Sequence, residues 1–270
     1  MTTPTPRSPD HHRPAHPFSV RLATQHWGVT GPDAKPAALL LHGLPSSSNS
    51  WWRVASDLAD AGWSVTAPDL RGHGNSPRAT RYSLTDHGAD VTALRAPDDR
   101  PWDLVIGHSL GGAVAVVAAA EHPEWADALL LLDPVLSVPE SEADALVADL
   151  LGDLEQHDPT ALLAENPRWH PEDASQKVAA ARAVTPHMVE RTIRDNDDWH
   201  LEPRLARVAA RTRVLAADPS FGASFTRAQG EALVAANSRF GFAVVHGAGH
   251  SLHRDDPARV VAEALAHLAG

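Results

Sequence analysis

The chain has 270 residues, 43% of them hydrophobic, with no cysteine and a formal net charge of -11. That is enough apolar sequence to bury one sizeable core, and the lack of thiols removes disulfides and thiolate metal sites. The acidic balance argues against a nucleic-acid partner, which needs clustered Lys and Arg, and no apolar run approaches the roughly 20 residues that span a bilayer.

Met1 to Pro17 is rich in Pro and His and has no apolar stretch, so it reads as a disordered tail, neither a signal peptide nor an anchor. Its histidines, His11, His12 and His16, read as a solvated arm, and the expected protein is soluble and cytoplasmic. Phe18 to Val29 alternates as a starting hairpin or edge strand should, with a turn at Gly31-Pro32-Asp33. Pro36 to His42 is a continuous apolar run, the pattern of a strand covered on both faces, and it ends in His42-Gly43-Leu44-Pro45. Ser46 to Ser50 then read as the cap of a helix from Trp51 to about Ala61, with one of Trp51 and Trp52 expected in the core and the other on a pocket wall. Trp63 to Ala67 is the next strand, and Gly72-His73-Gly74 shapes the tight loop beyond it.

A helix over Leu84 to Leu94 leads to a strand over Trp102 to Ile106, which stops abruptly at Gly107-His108-Ser109-Leu110-Gly111 and turns into an Ala- and Val-rich helix, Leu110 to Ala120. Small residues two places either side of Ser109 permit a strained turn that lifts its hydroxyl clear of the backbone, and the N–H of Leu110 faces the same space. Ala128 to Leu132 is another buried strand and delivers Asp133-Pro134 at its carboxyl end. Alternation of strand and helix through this half is the sign of a doubly wound, mostly parallel α/β sheet.

The alternation then lapses. Residues 137–203 read as short helices (Glu142 to Leu151, Pro159 to Ala164, Pro171 to Val184, Pro186 to Asn196) with no strand between them. This stretch holds 15 acidic and 5 basic residues, nearly all the chain's excess charge, and behaves as a unit of its own. It reads as a helical cap inserted over the sheet's carboxyl edge, with the core in 18–136 and 204–270. Sheet pattern resumes at Arg213 to Ala217, ending in Asp218-Pro219-Ser220. A helix over Arg227 to Ala236, a strand over Phe240 to His246, the loop Gly247-Ala248-Gly249-His250, and a closing helix from Pro257 to Leu268 complete the chain. His246 is expected in or at the end of its strand, and His253 to pack against or cap the closing helix.

Four ordered motifs, His42-Gly43, Gly72-His73-Gly74, Gly107-His108-Ser109-Leu110-Gly111 and Gly247-Ala248-Gly249-His250, make the chain from Phe18 to Gly270 resemble an α/β-hydrolase-fold enzyme with a helical cap. A serine needs a base to take its proton, and the base needs a carboxylate to hold its tautomer. The resemblance implies Ser109 as nucleophile and His250 as base, freed to reach the serine by Gly247 and Gly249. It also implies an oxyanion hole from the N–H groups of Leu110 and Leu44. His108 is expected on the pocket wall or in its packing. Two acids compete. Most of this fold's enzymes take theirs from the loop where Asp218 stands. A minority of related families, haloalkane dehalogenases and zearalenone-type lactonases among them, take it where Asp133 stands, 24 residues after Ser109. Asp133 is preferred and Asp218 is the alternative.

The expected activity is hydrolysis of a carboxylic ester or lactone through an acyl-enzyme, with no cofactor and no metal. Ser109 in place of an aspartate argues against epoxide hydrolase and dehalogenase chemistry. C–C bond hydrolysis, cofactor-free perhydrolysis and a non-catalytic ligand-binding relative remain as alternatives. Trp169 and Trp199 point to an apolar or aromatic small-molecule substrate or pin the cap, and the acidic cap is expected to repel strongly anionic ones mildly. A homodimer is left open.

Overall fold

The computed structural model describes residues 18–29, 36–97, 99–196 and 199–269. The expected tail, 1–17, and the turn at Gly31-Pro32-Asp33 lie outside them. A seven-stranded sheet has the order β1-β3-β2-β4-β5-β8-β9. Its members are β1 (Thr24–Trp27), β2 (Ala37–Leu41), β3 (Ser64–Pro68), β4 (Leu104–His108), β5 (Ala128–Leu132), β8 (Arg211–Ala216) and β9 (Phe240–Val244). Only β1 runs antiparallel, at the edge against β3. The other pairings are parallel. The helices are α1 (Trp52–Asp60), α2 (Leu84–Thr92), α3 (Leu110–Glu121), α4 (Glu140–Glu155), α5 (Pro159–Glu165), α6 (Pro171–Ala183), α7 (Pro186–Arg194), α8 (Glu202–Leu205), α9 (Arg227–Ala236), α10 (Leu252–Asp255) and α11 (Pro257–Ala269). No described helix is long and apolar enough to cross a membrane.

Side chains alternate across a strand, so each buried strand feeds two cores. Leu39, Leu41 and Val105 pack on the side of α2 and α3, while Ala38, Leu40, Leu104 and Ile106 pack on the side of α1 and α11. That double covering is why β2 and β5 are apolar at every position. Residues Leu110 to Ala120 of α3 are all buried, as an unpatterned apolar helix must be.

The inserted helices begin where the sequence can begin them. Prolines 159, 171 and 186 open α5, α6 and α7, where the missing N–H costs nothing, and Asp158, His170 and Thr185 accept from the first-turn N–H groups.

Several local expectations are corrected. Ser46 to Ser50 cap no helix through a side chain; Ser48–Trp51 is instead a 3-10 turn leading into α1. Trp102 lies outside β4 and makes an isolated bridge to Ala126. The 137–203 stretch also carries a two-stranded antiparallel ribbon that closes its ends, β6 (Ser137–Val138) against β7 (Trp199–His200). A two-residue strand shows no period, so the pattern missed it. His246 lies beyond β9 and its side chain is 78% exposed.

Candidate active site

Ser109 sits between β4 and α3 with φ 53° and ψ -117°, a strained conformation for a residue with a side chain. The flanking glycines are sterically required. A Cβ on Gly107 would lie 2.6 Å from Gly111 O, and one on Gly111 would lie 2.2 Å from Leu41 O. Leu110 opens α3, so its N–H has no acceptor within the helix and is free to serve another group.

The end of β2 comes over the serine. A Cβ on Gly43 would lie 3.0 Å from Ser109 Cβ and 2.8 Å from His108 Nδ1, so the backbone passes close over the serine. His42 holds this turn. Its Nε2 accepts from Leu70 N–H at 3.0 Å, so its Nδ1–H donates to Gly43 O at 2.8 Å. Burial lowers its pKa, which keeps the ring neutral and that tautomer in place. With Gly43 O engaged on one edge of the peptide plane, the N–H of Leu44 lies on the opposite edge. Leu44 lines the same cavity as Ser109.

His250 Nδ1 lies 2.6 Å from Asp133 Oδ2. Asp133 is fully buried, and its carboxylate also accepts from the N–H groups of Ala217 (3.1 Å), Ser224 (2.8 Å) and Phe225 (3.1 Å). A carboxylate so saturated cannot rotate away from the imidazole, so it holds the proton on Nδ1 and leaves the lone pair on Nε2. Asp218 is used otherwise. It accepts from Ser220 N–H at 2.9 Å and Gly247 N–H at 2.8 Å, bonds that hold its carboxyl below the usual range, and shapes the loop that carries His250. Ser109 and His250 line one cavity without a direct hydrogen bond between their side chains, a looseness common before substrate binds.

The cavity, about 540 Å³, lies between the sheet's carboxyl edge and the inserted helices. Trp169 and Trp199 both line it, and both are also tethered. Trp169 Nε1–H donates to Asp255 Oδ1 at 2.9 Å, and Trp199 Nε1–H to Val135 O at 2.9 Å. His108 is on its wall as well. Its Nε2–H donates to His250 O at 2.9 Å, and its ring packs at a tilt against those of His250 (4.7 Å) and His253 (4.6 Å). Burial, and then the nearby His250, push His108 well below the ordinary histidine range, so its ring stays neutral beside His250. His253 is buried in α10. Trp51 is fully buried, but Trp52 is not on the cavity wall; its indole N–H donates to Asp173 Oδ1 at 2.9 Å and ties α6 to α1.

Three groups escaped the sequence reading: His42 as the brace of the Leu44 turn, and Lys177 and Arg254 as charges on the cavity wall. The His42-Gly43 pair was visible as a motif, but nothing local marks Lys177 or Arg254. Among the described residues, no group of three or more His, Cys, Asp or Glu could hold a metal ion.

The profile of the alpha/beta hydrolase fold matches residues 36–187. Lipase LipV of Mycobacterium tuberculosis is 36% identical over 149 residues, which are 54% of each chain, so the match spans about half that relative's length. Two solved structures superpose almost throughout. E-2-(acetamidomethylene)succinate hydrolase has a TM-score of 0.76 at 19% identity, covering 92% of this chain and 95% of that one. Est816, an N-acyl homoserine lactone degrading enzyme, has a TM-score of 0.70 at 21% identity, covering 92% and 96%. With more than half of its length matched by that profile and a mostly parallel seven-stranded sheet, the chain belongs to the alpha/beta hydrolase fold family.

Proposed function

We propose that this protein is a serine hydrolase of carboxylic esters or lactones, working through an acyl-enzyme. The observation that carries the reading is the 2.6 Å contact of His250 Nδ1 with Asp133, in a cavity that also exposes Ser109 at its strained turn. Ser109 Oγ attacks the substrate carbonyl while His250 Nε2 takes its proton. The negative charge that develops on the carbonyl oxygen is received by the N–H groups of Leu110 and Leu44. Collapse expels the alcohol, which takes the proton from His250, and a water activated by the same imidazole releases the acid and restores the serine.

The inserted helices act as a cap that shapes the substrate chamber. Leu146, Leu150, Leu162 and Ile193 from that segment, with Trp169 and Trp199, supply apolar wall for a small organic acyl or alcohol chain. Lipase and lactone-degrading relatives are consistent with this substrate class.

The test is labelling of Ser109 by a fluorophosphonate, together with multiple turnover of simple esters and lactones. Ser109→Ala is expected to fold normally, to lose labelling and to lower turnover by about 10³-fold or more. Wild-type protein that is neither labelled nor active would favour a ligand-binding relative over an enzyme, and turnover surviving in Ser109→Ala would exclude this mechanism.

A further inference from the structure

Two arginines are buried among the described residues, and their surroundings differ. Arg71 has all three guanidinium nitrogens engaged, Nε and Nη2 on the Asp90 carboxylate at 2.7 and 2.8 Å and Nη1 on Arg81 O at 2.7 Å. Arg254, 3% exposed, lines the catalytic cavity. Its guanidinium lies 4.8 Å from the centre of the Trp169 ring, its Nη2 reaches Ser46 Oγ at 3.4 Å, and its Nε is buried with no partner. The carboxylates that act on it through space are already committed. Asp173 receives Arg53, Trp52 Nε1–H and His170 N–H, and Asp255 receives Trp169 Nε1–H and Gly249 N–H. Among the described residues none is paired with Arg254.

A second cation converges on the same place. Lys177 of α6, its side chain 15% exposed, lines the cavity and donates to Pro45 O at 3.3 Å and to Asp153 Oδ2 at 3.1 Å. Arg254 and Lys177 therefore meet at Pro45-Ser46, the turn that directly follows Leu44. Burial lowers the pKa of both, that of Arg254 to about 10, so the guanidinium stays charged at neutral pH. A buried cation without a counter-charge is costly, and the cost is offset when an anion enters.

We propose that Arg254 and Lys177, with the Ser46 hydroxyl, bind a carboxylate carried by the substrate, so that the compound cleaved here has a free carboxylate besides its ester. The proposal rests on the serine hydrolase reading and narrows its substrate class. The acidic side chains that also reach the cavity, Asp149, Asp153 and Glu165, are exposed, where water screens them; Asp153 engages Lys177 there, while Arg254 is buried without a carboxylate partner. The apolar wall then accepts the chain between ester and carboxylate.

The experiment compares matched esters on the full-length protein. Methyl hydrogen glutarate and 4-acetoxybutanoate carry the carboxylate on the acyl and the alcohol side; methyl pentanoate and butyl acetate are their neutral counterparts. At least one anionic ester is expected to exceed its neutral counterpart in kcat/KM by about tenfold or more, as a charge-assisted bond provides. Arg254→Gln and Lys177→Met should each shrink that ratio, mostly through KM. Calorimetry with Ser109→Ala measures binding of the same four esters without turnover, so the two readings fail separately. Loss of all turnover with anionic esters still bound preferentially would sink the hydrolase reading and keep the carboxylate site. Equal binding of charged and neutral esters, or a preference unaltered in both variants, overturns the proposal. Should Arg254→Gln fail to fold, Lys177→Met, on a more exposed side chain, carries the comparison.

Discussion

Asp133 and Asp218 follow neighbouring strands, β5 and β8, and are set apart by what meets each carboxylate. Asp133 faces His250 and three backbone N–H groups, while Asp218 serves only Ser220 and Gly247 besides its distant approach to His246 at 3.6 Å. An amide at position 133 can present its NH₂ to the imidazole and favour the wrong tautomer, so Asp133→Asn should lower kcat by about 10⁴. Asparagine also tolerates the positive φ of 41° found there, which makes the fold's survival a fair expectation. Asp218→Asn retains an acceptor for Gly247 N–H and should cost far less. Rates of both variants, with circular dichroism to check folding, decide the matter; a crippled Asp218→Asn beside an active Asp133→Asn would reverse the assignment. The 24-residue interval from Ser109 already favours Asp133, but an interval carries no information about which loop closes over His250.

At the scale of elements, polar tethers join the insert to the rest of the chain beside its apolar contacts. Asp173, 1% exposed at the start of α6, takes the Trp52 indole N–H, pairs with Arg53 and caps its own helix through His170 N–H. Asp173→Ala leaves these donors without their acceptor. A loss of about 2 to 3 kcal/mol is expected, read as a lower melting temperature, with limited proteolysis cutting first within 137–203. An unchanged melting temperature and cleavage pattern would mean that the apolar contacts of the insert suffice. The helices of this segment are legible from their prolines at 159, 171 and 186. Their docking is not, because the partner of Asp173 stands 120 residues away on α1.

Across the whole molecule, burial places an unusual set of neutral histidines. His42, His87, His108 and His253 are held below the ordinary value of 6.5, and His73 is lowered to about 3, desolvation being the first cause in each. Their folded-state values lie below the unfolded one, so below about pH 6.5 the unfolded chain binds more protons than the folded chain. The stability these rings contribute is therefore fully present above that pH and is lost as pH falls, by up to about 1.4 kcal/mol per pH unit for each ring. Asp90 and Asp255, raised by burial, act in the opposite sense. The melting temperature should be nearly flat above pH 7 and fall steeply between pH 6.5 and 5, with uptake of more than one proton on unfolding. A melting temperature constant from pH 7.5 to 5 would contradict the burial of these rings.

Sequence alone determined the alternation of strand and helix and the strained serine turn, because each is written in neighbouring residues: apolar runs, and glycines at 107 and 111. Only the tertiary structure decided which aspartate meets the imidazole, what His42 braces and where the cations of the cavity point. His250 reaches Asp133 across 117 residues, and Arg254 reaches Ser46 across 208. Contacts of that span arise from the parallel sheet, which gathers the ends of β2, β4, β5 and β9 at one edge and so assembles a site from loops that no local pattern relates.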